Sequence, residues 1–122
     1  MEDPETIPVW CAGQDWCPIT ATAKLIGKKW HPVIIHRLIV NGALGFNDLK
    51  EEVDGISSKV LSESLDDLQE KNLVEREIVS EKPVRVRYTL TEKGESLESV
   101  VKEMKKWGDQ NLSVPDVEEE GL

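Results

Sequence analysis

Apolar residues follow a helical period in the first half of the chain and a strand period further on. A short helix is predicted from Ile19 or Thr20 to Ile26, and Gly27 stops it. A second helix is predicted from about His31 to Val40. Because its apolar residues occupy nearly the whole circumference, we expect this second helix to lie at the centre of the core.

Two further helices are predicted in the middle of the chain, separated by a tight turn that contains glycine. Asn47 is the predicted N-cap of the first, which ends near Asp54-Gly55. Ser57 or Ser58 is the predicted N-cap of the second, whose apolar face repeats at i, i+4 and i+7. This face consists of Leu61, Leu65 and Leu68. Two helices joined in this way form a helix-turn-helix.

After the helix pair, apolar and polar residues alternate, so the period of the pattern is two residues. The segments LVEREIV (73–79) and VRVRYTL (84–90) alternate in polarity around the loop SEKP, which predicts a β-hairpin. Thr91 is the predicted cap of a final helix that ends near Gly108 or Asn111. Its apolar stripe comprises Leu97, Val100, Val101, Met104 and Trp107. A hairpin directly after a helix-turn-helix is a wing, so the predicted fold is a mostly helical α+β winged helix-turn-helix.

Acidic residues are concentrated at the two ends of the chain. Residues 1–9 and 114–122 carry seven of them and no Lys or Arg, which leaves −2 of the formal charge of −9 for residues 10–113. Residues 20–47 and 82–91 contain basic residues and no acid. The net charge therefore does not exclude a nucleic-acid partner.

The charge distribution also suggests the domain organisation. We predict a flexible acidic N-terminus over residues 1–10, a folded domain over 11–112 and an acidic disordered tail over 113–122. No apolar run approaches the roughly 20 residues of a membrane span, and the N-terminus lacks the features of a signal peptide. We expect a cytoplasmic protein without a membrane partner. Enzyme motifs such as a glycine-rich phosphate loop, a nucleophile elbow or H-E-x-x-H are absent, so no catalytic residue is assigned.

The second helix of the pair is the candidate for reading DNA. Side chains at its start are of types that can hydrogen-bond base edges. These residues are Ser57, Ser58, Lys59, Ser62 and Glu63. The alternative interpretation is a solvated amphipathic face. Asp66, Asp67 and Glu70 lie further along and would be repelled by phosphates if the helix lay flat, which favours insertion of the helix by its N-terminal end.

The predicted hairpin carries a basic cluster of Lys82, Arg85 and Arg87 that is suited to phosphates or a minor groove. The alternative is a solvated strand edge that discourages aggregation. The helix pair that precedes the hairpin favours DNA. The stripe on the final helix is too apolar for a lone exposed helix and predicts a dimer interface. Twofold dimers place two recognition helices about 34 Å apart, one turn of DNA.

The two cysteines, Cys11 and Cys17, allow three interpretations. The first is a small buried apolar residue. The second is a sensor of oxidants or electrophiles at Cys17, where the amides of a helix N-terminus and Lys24 would favour the thiolate. The third is a metal site formed with His31 and His36, but the spacings C-x5-C and H-x4-H do not match the usual zinc patterns. We therefore expect no metal.

Four groups of residues match a known family pattern. They are C-P at 17–18 with I-G-K-K-W at 26–30, F-N-D-L at 46–49, G-I-S at 55–57, and Y-T-L-T at 88–91 with K-G at 93–94. In these motifs, residues 17 to about 108 resemble the HxlR-type winged-helix transcription regulators.

This resemblance implies a homodimeric transcription factor on double-stranded DNA with a short inverted-repeat operator and no cofactor. In such proteins the first and last helices form the dimer, which adds Leu25 to the predicted interface. In several members the cysteine at the position of Cys17 senses oxidants or reactive electrophiles, through modification or an intersubunit disulfide. Cys11 has no counterpart in the family, and Arg87 stands where many members have an acid. The alternative function is a winged-helix module for protein–protein interaction that does not bind DNA.

Overall fold

The computed structural model describes residues 17–114, which form a mostly helical α+β winged helix-turn-helix, as predicted. Residues 1–16, which include Cys11, and residues 115–122 lie outside the described part, so the predicted flexible ends are not tested. The helices are α1 (Pro18–Ile26), α2 (His31–Asn41), α3 (Phe46–Glu52), α4 (Ser58–Glu70), α5 (Glu92–Glu95) and α6 (Glu98–Asn111). The strands are β1 (Ala43–Leu44), β2 (Val74–Glu81) and β3 (Val84–Leu90).

Helix α2 lies at the centre of the core, as its apolar circumference predicts. Ile34, Ile35 and Leu38 are buried on this helix, and His31 is buried at its start. The leucine face of α4 packs into the same core, together with residues from the helices and strands around it. The fully buried members are Leu49, Val53, Leu61, Leu65, Leu68 and Leu73. The recognition helix is thereby fixed to the scaffold along its apolar side.

The prediction that Asn47 caps the first helix of the pair is wrong. Helix α3 begins at Phe46, and Gly45 is its N-cap. The Asp48 carboxylate accepts a hydrogen bond from the Gly45 N–H at 3.3 Å, so a carboxylate inside the first turn stabilises this end. Asn47 lies within the first turn.

The turn between α3 and α4 requires a left-handed backbone. Gly55 adopts a φ of +89°, which is costly for residues that carry a Cβ. Two residues later Ser57 caps α4, because its Oγ accepts the Val60 N–H at 3.1 Å. The prediction of Ser57 as one of two candidate caps is confirmed, and the cap marks where the exposed N-terminal turn of the recognition helix begins.

The hairpin belongs to a three-stranded antiparallel sheet of order β1–β3–β2. Strand β1 was not predicted, because a strand of two residues is too short to show a period. Leu44 lies opposite Tyr88 in the register of β1 with β3. This pairing ties the base of the wing to the chain that connects α2 with α3.

The tip of the wing differs from its predicted form. The register of β2 with β3 is irregular between Ile78 and Ser80, and only Lys82 and Pro83 separate the strands. Val84 begins the apolar side of the alternating segment 84–90, yet 67% of it is exposed. The reason is that the hairpin extends beyond the core, so that burial on β3 is confined to its base.

Thr91 caps a helix as predicted, because its Oγ1 accepts the Gly94 N–H at 2.9 Å. The single final helix that we predicted is instead two helices, α5 and α6. A Cβ at Gly94 would lie 2.1 Å from the carbonyl oxygen of Leu73. This close approach packs α5 onto the turn after α4, and the chain then changes direction before α6 runs alongside α2.

Candidate nucleic-acid interface

The N-terminal half of α4 presents a polar face to solvent. Ser58, Lys59, Ser62 and Glu63 are exposed on it, while the leucine face is buried. Ser57 is also exposed, and its Oγ is engaged as the helix cap. The structure therefore brings the five residues predicted for base readout to one end of one helix. Except for Ser57, these residues have side chains that take no part in capping α4.

Asp67, which we expected to oppose phosphates, is held by the scaffold instead. Its Oδ2 accepts a hydrogen bond from Lys71 Nζ at 2.8 Å and lies 2.7 Å from His31 Nε2. Lys28 Nζ lies 3.9 Å away. The hydrogen bonds from Lys71 and then His31 lower the pKa of Asp67 from 3.8 to about 2, against the opposing effect of desolvation. Only Asp66 and Glu70 remain as exposed acids in the C-terminal half of α4.

The contact between His31 and Asp67 could not be predicted from the sequence. The two residues are 36 positions apart, and His31 is only 2% exposed. We had considered His31 as a metal ligand, whereas the structure makes it the link between the start of α2 and the recognition helix. No three His, Cys, Asp or Glu side chains within residues 17–114 are grouped so as to hold a metal ion.

The wing contributes a smaller basic surface than its sequence predicted. Arg87 lies opposite Glu77 on the neighbouring strand, and its Nε donates to Glu77 Oε1 at 2.6 Å. Arg85 lies opposite Ser80 and is exposed, as is Lys82 at the tip. Neither Arg85 nor Lys82 takes part in an ion pair among the described residues. Of the three cations predicted for the wing, Lys82 and Arg85 are therefore the two available to a phosphate.

Cys17 lies at the entrance of α1, as predicted. It is the N-cap residue and is half-buried, and its carbonyl oxygen accepts the Ala21 N–H at 2.8 Å. Lys24 lies in the last turn of α1, about 10 Å along the helix axis from Cys17. The amides of the helix N-terminus are thus better placed than Lys24 to favour a thiolate at this position.

The predicted dimer stripe is divided between the core and the surface. Val101 is buried within the chain itself, and Leu25 and Leu97 are half-buried against the same core. The large apolar side chains that remain accessible on α6 are Val100, Met104 and Trp107, which are 37%, 46% and 59% exposed. They follow one another at helical spacing and form a continuous apolar surface, which we call the α6 face.

A wing beside a polar, exposed recognition helix defines the class of this chain, a winged helix-turn-helix transcription regulator. The HxlR-like helix-turn-helix family profile matches residues 25–116, and the chain belongs to this family. The family and fold predictions are thereby confirmed. None of the helices that the structure describes is long and apolar enough to cross a membrane.

Similar proteins include regulators that respond to redox conditions. The HTH-type transcriptional regulator YodB of Bacillus subtilis (strain 168) is 42% identical over 99 residues, which are 80% of this chain and 88% of YodB. The crystal structure of diamide-treated YodB matches with a TM-score of 0.64 at 40% identity, over 82% of this chain and 99% of that one. The redox regulator HypR in its oxidized form matches with a TM-score of 0.74 at 34% identity, over 80% of this chain and all of HypR.

These findings confirm that the chain is an HTH-type DNA-binding transcriptional regulator, homologous to YodB and HypR, and not an enzyme.

Proposed function

We propose that this chain acts as a homodimer on an inverted-repeat operator, reads bases with the N-terminal turns of α4, and responds to oxidants or electrophiles through Cys17. The observation that carries the proposal is the exposed group of Ser58, Lys59, Ser62 and Glu63 at the free end of a helix whose other side is buried. Serine, lysine and glutamate can hydrogen-bond base edges in a major groove.

The distribution of acids on α4 supports entry by its N-terminal end. Lys59 and two serines lie in the first turns, whereas Asp66 and Glu70 are exposed in the second half. A helix laid along the groove would bring these carboxylates near phosphates, and like charges at short range are unfavourable. Insertion by the N-terminal end keeps them away from the backbone and directs the positive end of the helix dipole towards the DNA.

The wing carries two arginines that form a matched pair, so variants of each can test which residue contacts the DNA phosphates. Arg85 is exposed without an ion pair in the described part of the chain, and Arg87 is already paired with Glu77. Each phosphate contact contributes about 0.9 to the slope of log K against log salt. Because a dimer carries two wings, Arg85→Ala should lower the magnitude of that slope by about 1.8. Arg87→Ala should change it by much less.

The measurement is operator binding by fluorescence anisotropy over a series of salt concentrations, with the two variants and the unmodified protein in parallel. An unchanged slope for Arg85→Ala would show that Arg85 does not contact phosphate. Equal losses for the two variants would show that Glu77 does not neutralise Arg87. Failure of the intact dimer to bind any fragment upstream of its own or the adjacent gene would favour the protein–protein module.

The position of Cys17 supports a sensor role, because the amides at a helix N-terminus favour a thiolate. The diamide-treated YodB and oxidized HypR structures point to the same chemistry in relatives. Diamide joins two thiols as a disulfide and takes up their hydrogens. The chain contains only Cys11 and Cys17, so the second thiol comes from one of these in the same or the partner subunit.

The test compares operator affinity with and without diamide in the native protein, Cys17→Ser and Cys11→Ser. We expect a change of about tenfold in the native protein, within the usual range of coupling between two sites. Cys17→Ser should abolish it. A retained response in Cys11→Ser would indicate a disulfide between the two Cys17 residues of the dimer. An undiminished response in Cys17→Ser would exclude Cys17 as the sensor.

A further inference from the structure

A cleft lies between α2 and α6, and none of the residues that line it belongs to α4 or the wing. Its volume is about 330 Å³, at the lower end of the roughly 300–1,000 Å³ typical of small-molecule sites. It is open to solvent on one side. The residues that line it are Pro32, Val33, His36, Arg37, Val101, Met104 and Lys105.

The lining combines an apolar floor with a basic rim. Val33, Val101 and Met104 provide aliphatic and thioether surface, and Arg37 and Lys105 provide two cations. None of the lining residues is acidic. In a protein with a net charge of −9, this cleft therefore has an unusual local excess of positive charge.

His36 adds a neutral hydrogen-bond donor to this rim. Its Nδ1 lies 3.2 Å from Arg37 Nη1, which can only donate, so Nδ1 accepts and the ring proton is on Nε2. Burial, followed by the positive charges of Arg37, Lys105 and Lys102, lowers the pKa of His36 below its usual value of 6.5. The ring is thus mostly neutral at pH 7, and its Nε2–H can donate to a ligand.

The carboxylates nearest to the two cations belong to Glu52 and Asp109, which lie outside the cleft lining. Arg37 Nε also donates to the backbone carbonyl of Glu52 at 3.3 Å. Arg37 Nε is 3.9 Å from Glu52 Oε1, which is long for an ion pair. Lys105 Nζ is 2.9 Å from Asp109 Oδ2, but both side chains are more than 60% exposed. An anion in the cleft would therefore compete with Asp109 for Lys105, whereas Arg37 has no carboxylate within hydrogen-bond distance among the described residues.

We propose that this cleft binds a small organic anion with a compact apolar body, such as an aromatic carboxylate. The apolar part would lie against Val33 and Val101, and the carboxylate would accept hydrogen bonds from Arg37 and Lys105. The charge on the rim selects an anion over a neutral or cationic molecule of the same shape. This inference does not depend on the proposed DNA contacts or on the chemistry of Cys17, and the cleft shares Met104 with the α6 face.

The test uses benzoate as the probe, with benzamide and benzylamine as the neutral and cationic molecules of similar shape. The full-length protein is titrated with each, and amide chemical shifts locate the site. We expect saturable binding of benzoate with a dissociation constant on the order of 1 mM, ordinary for so small a molecule. Benzamide should bind roughly tenfold more weakly, because it lacks the charge-assisted hydrogen bonds.

Lys105→Gln should weaken benzoate binding by a similar factor, whereas Lys106→Gln should leave it unchanged. Lys106 is the next residue on α6, is exposed and does not line the cleft, so both variants lose one positive charge from one helix. Cys17→Ser should bind benzoate as the native protein does. Equal binding of benzoate and benzamide, equal effects of the two lysine variants, shift changes away from α2 and α6, or no saturable binding would each overturn the proposal.

Discussion

Replacement of Asp67 by asparagine isolates the electrostatic part of the contact that anchors the recognition helix. Asparagine retains an oxygen that can accept from His31, but it loses the charge that attracts Lys71 and Lys28. In the native protein the pKa of Asp67 is lowered from 3.8 to about 2, chiefly by the hydrogen bond from Lys71. By linkage this corresponds to at most about 2 kcal/mol of folding free energy at neutral pH.

We expect a smaller measured effect of Asp67→Asn, because 24% of the aspartate side chain is exposed and solvent screens part of the attraction. A loss of roughly 1 kcal/mol at pH 7 is consistent with that screening. The sign of the pH dependence follows from the lowered pKa. The stabilisation is fully present above pH 3.8 and is lost as the pH falls through about 2. The difference between variant and native protein should be roughly halved by pH 3.

The assay is urea unfolding followed by circular dichroism at pH 7 and at pH 3, with Asp66→Asn as the matched control. Asp66 is the adjacent residue and is exposed, so its replacement should change stability by less than about 0.5 kcal/mol. If both variants lose the same free energy at pH 7, or if the Asp67→Asn difference persists unchanged at pH 3, the anchoring role assigned to the Asp67 charge is wrong.

Two further predictions address the proposed operator complex. Lys59→Ala should relax the preference at one base pair by about 1–3 kcal/mol while other positions are read as before, which competition binding with single-site operator variants would measure. A uniform loss over all operator variants would instead make Lys59 a phosphate contact. Met104→Glu should weaken dimerisation at least about tenfold in sedimentation equilibrium, because it places a charge in the proposed apolar contact on α6. The control Lys106→Glu should remain dimeric, and a dimeric Met104→Glu would exclude the α6 face as the interface.

The changes of period along the chain were sufficient to predict most of the fold. A helical period, then a glycine turn with Ser57 as cap, then an alternating hairpin, indicates a winged helix-turn-helix, because each signal involves residues within a few positions of one another. The same holds for the exposed end of α4, since a leucine face at i, i+4 and i+7 determines which residues point outward. Strand β1 and the break between α5 and α6 leave no such local signal.

The identity of the polar contacts was decided by tertiary structure alone. His31 meets Asp67 across 36 residues, and Glu77 meets Arg87 only because the hairpin register places them opposite one another. Both contacts change the interface, since one removes an acid from the recognition helix and the other removes a cation from the wing. The sequence by itself determined which residue types lie on each element. Which charges remain available to DNA depended on neighbours that only the folded chain brings together.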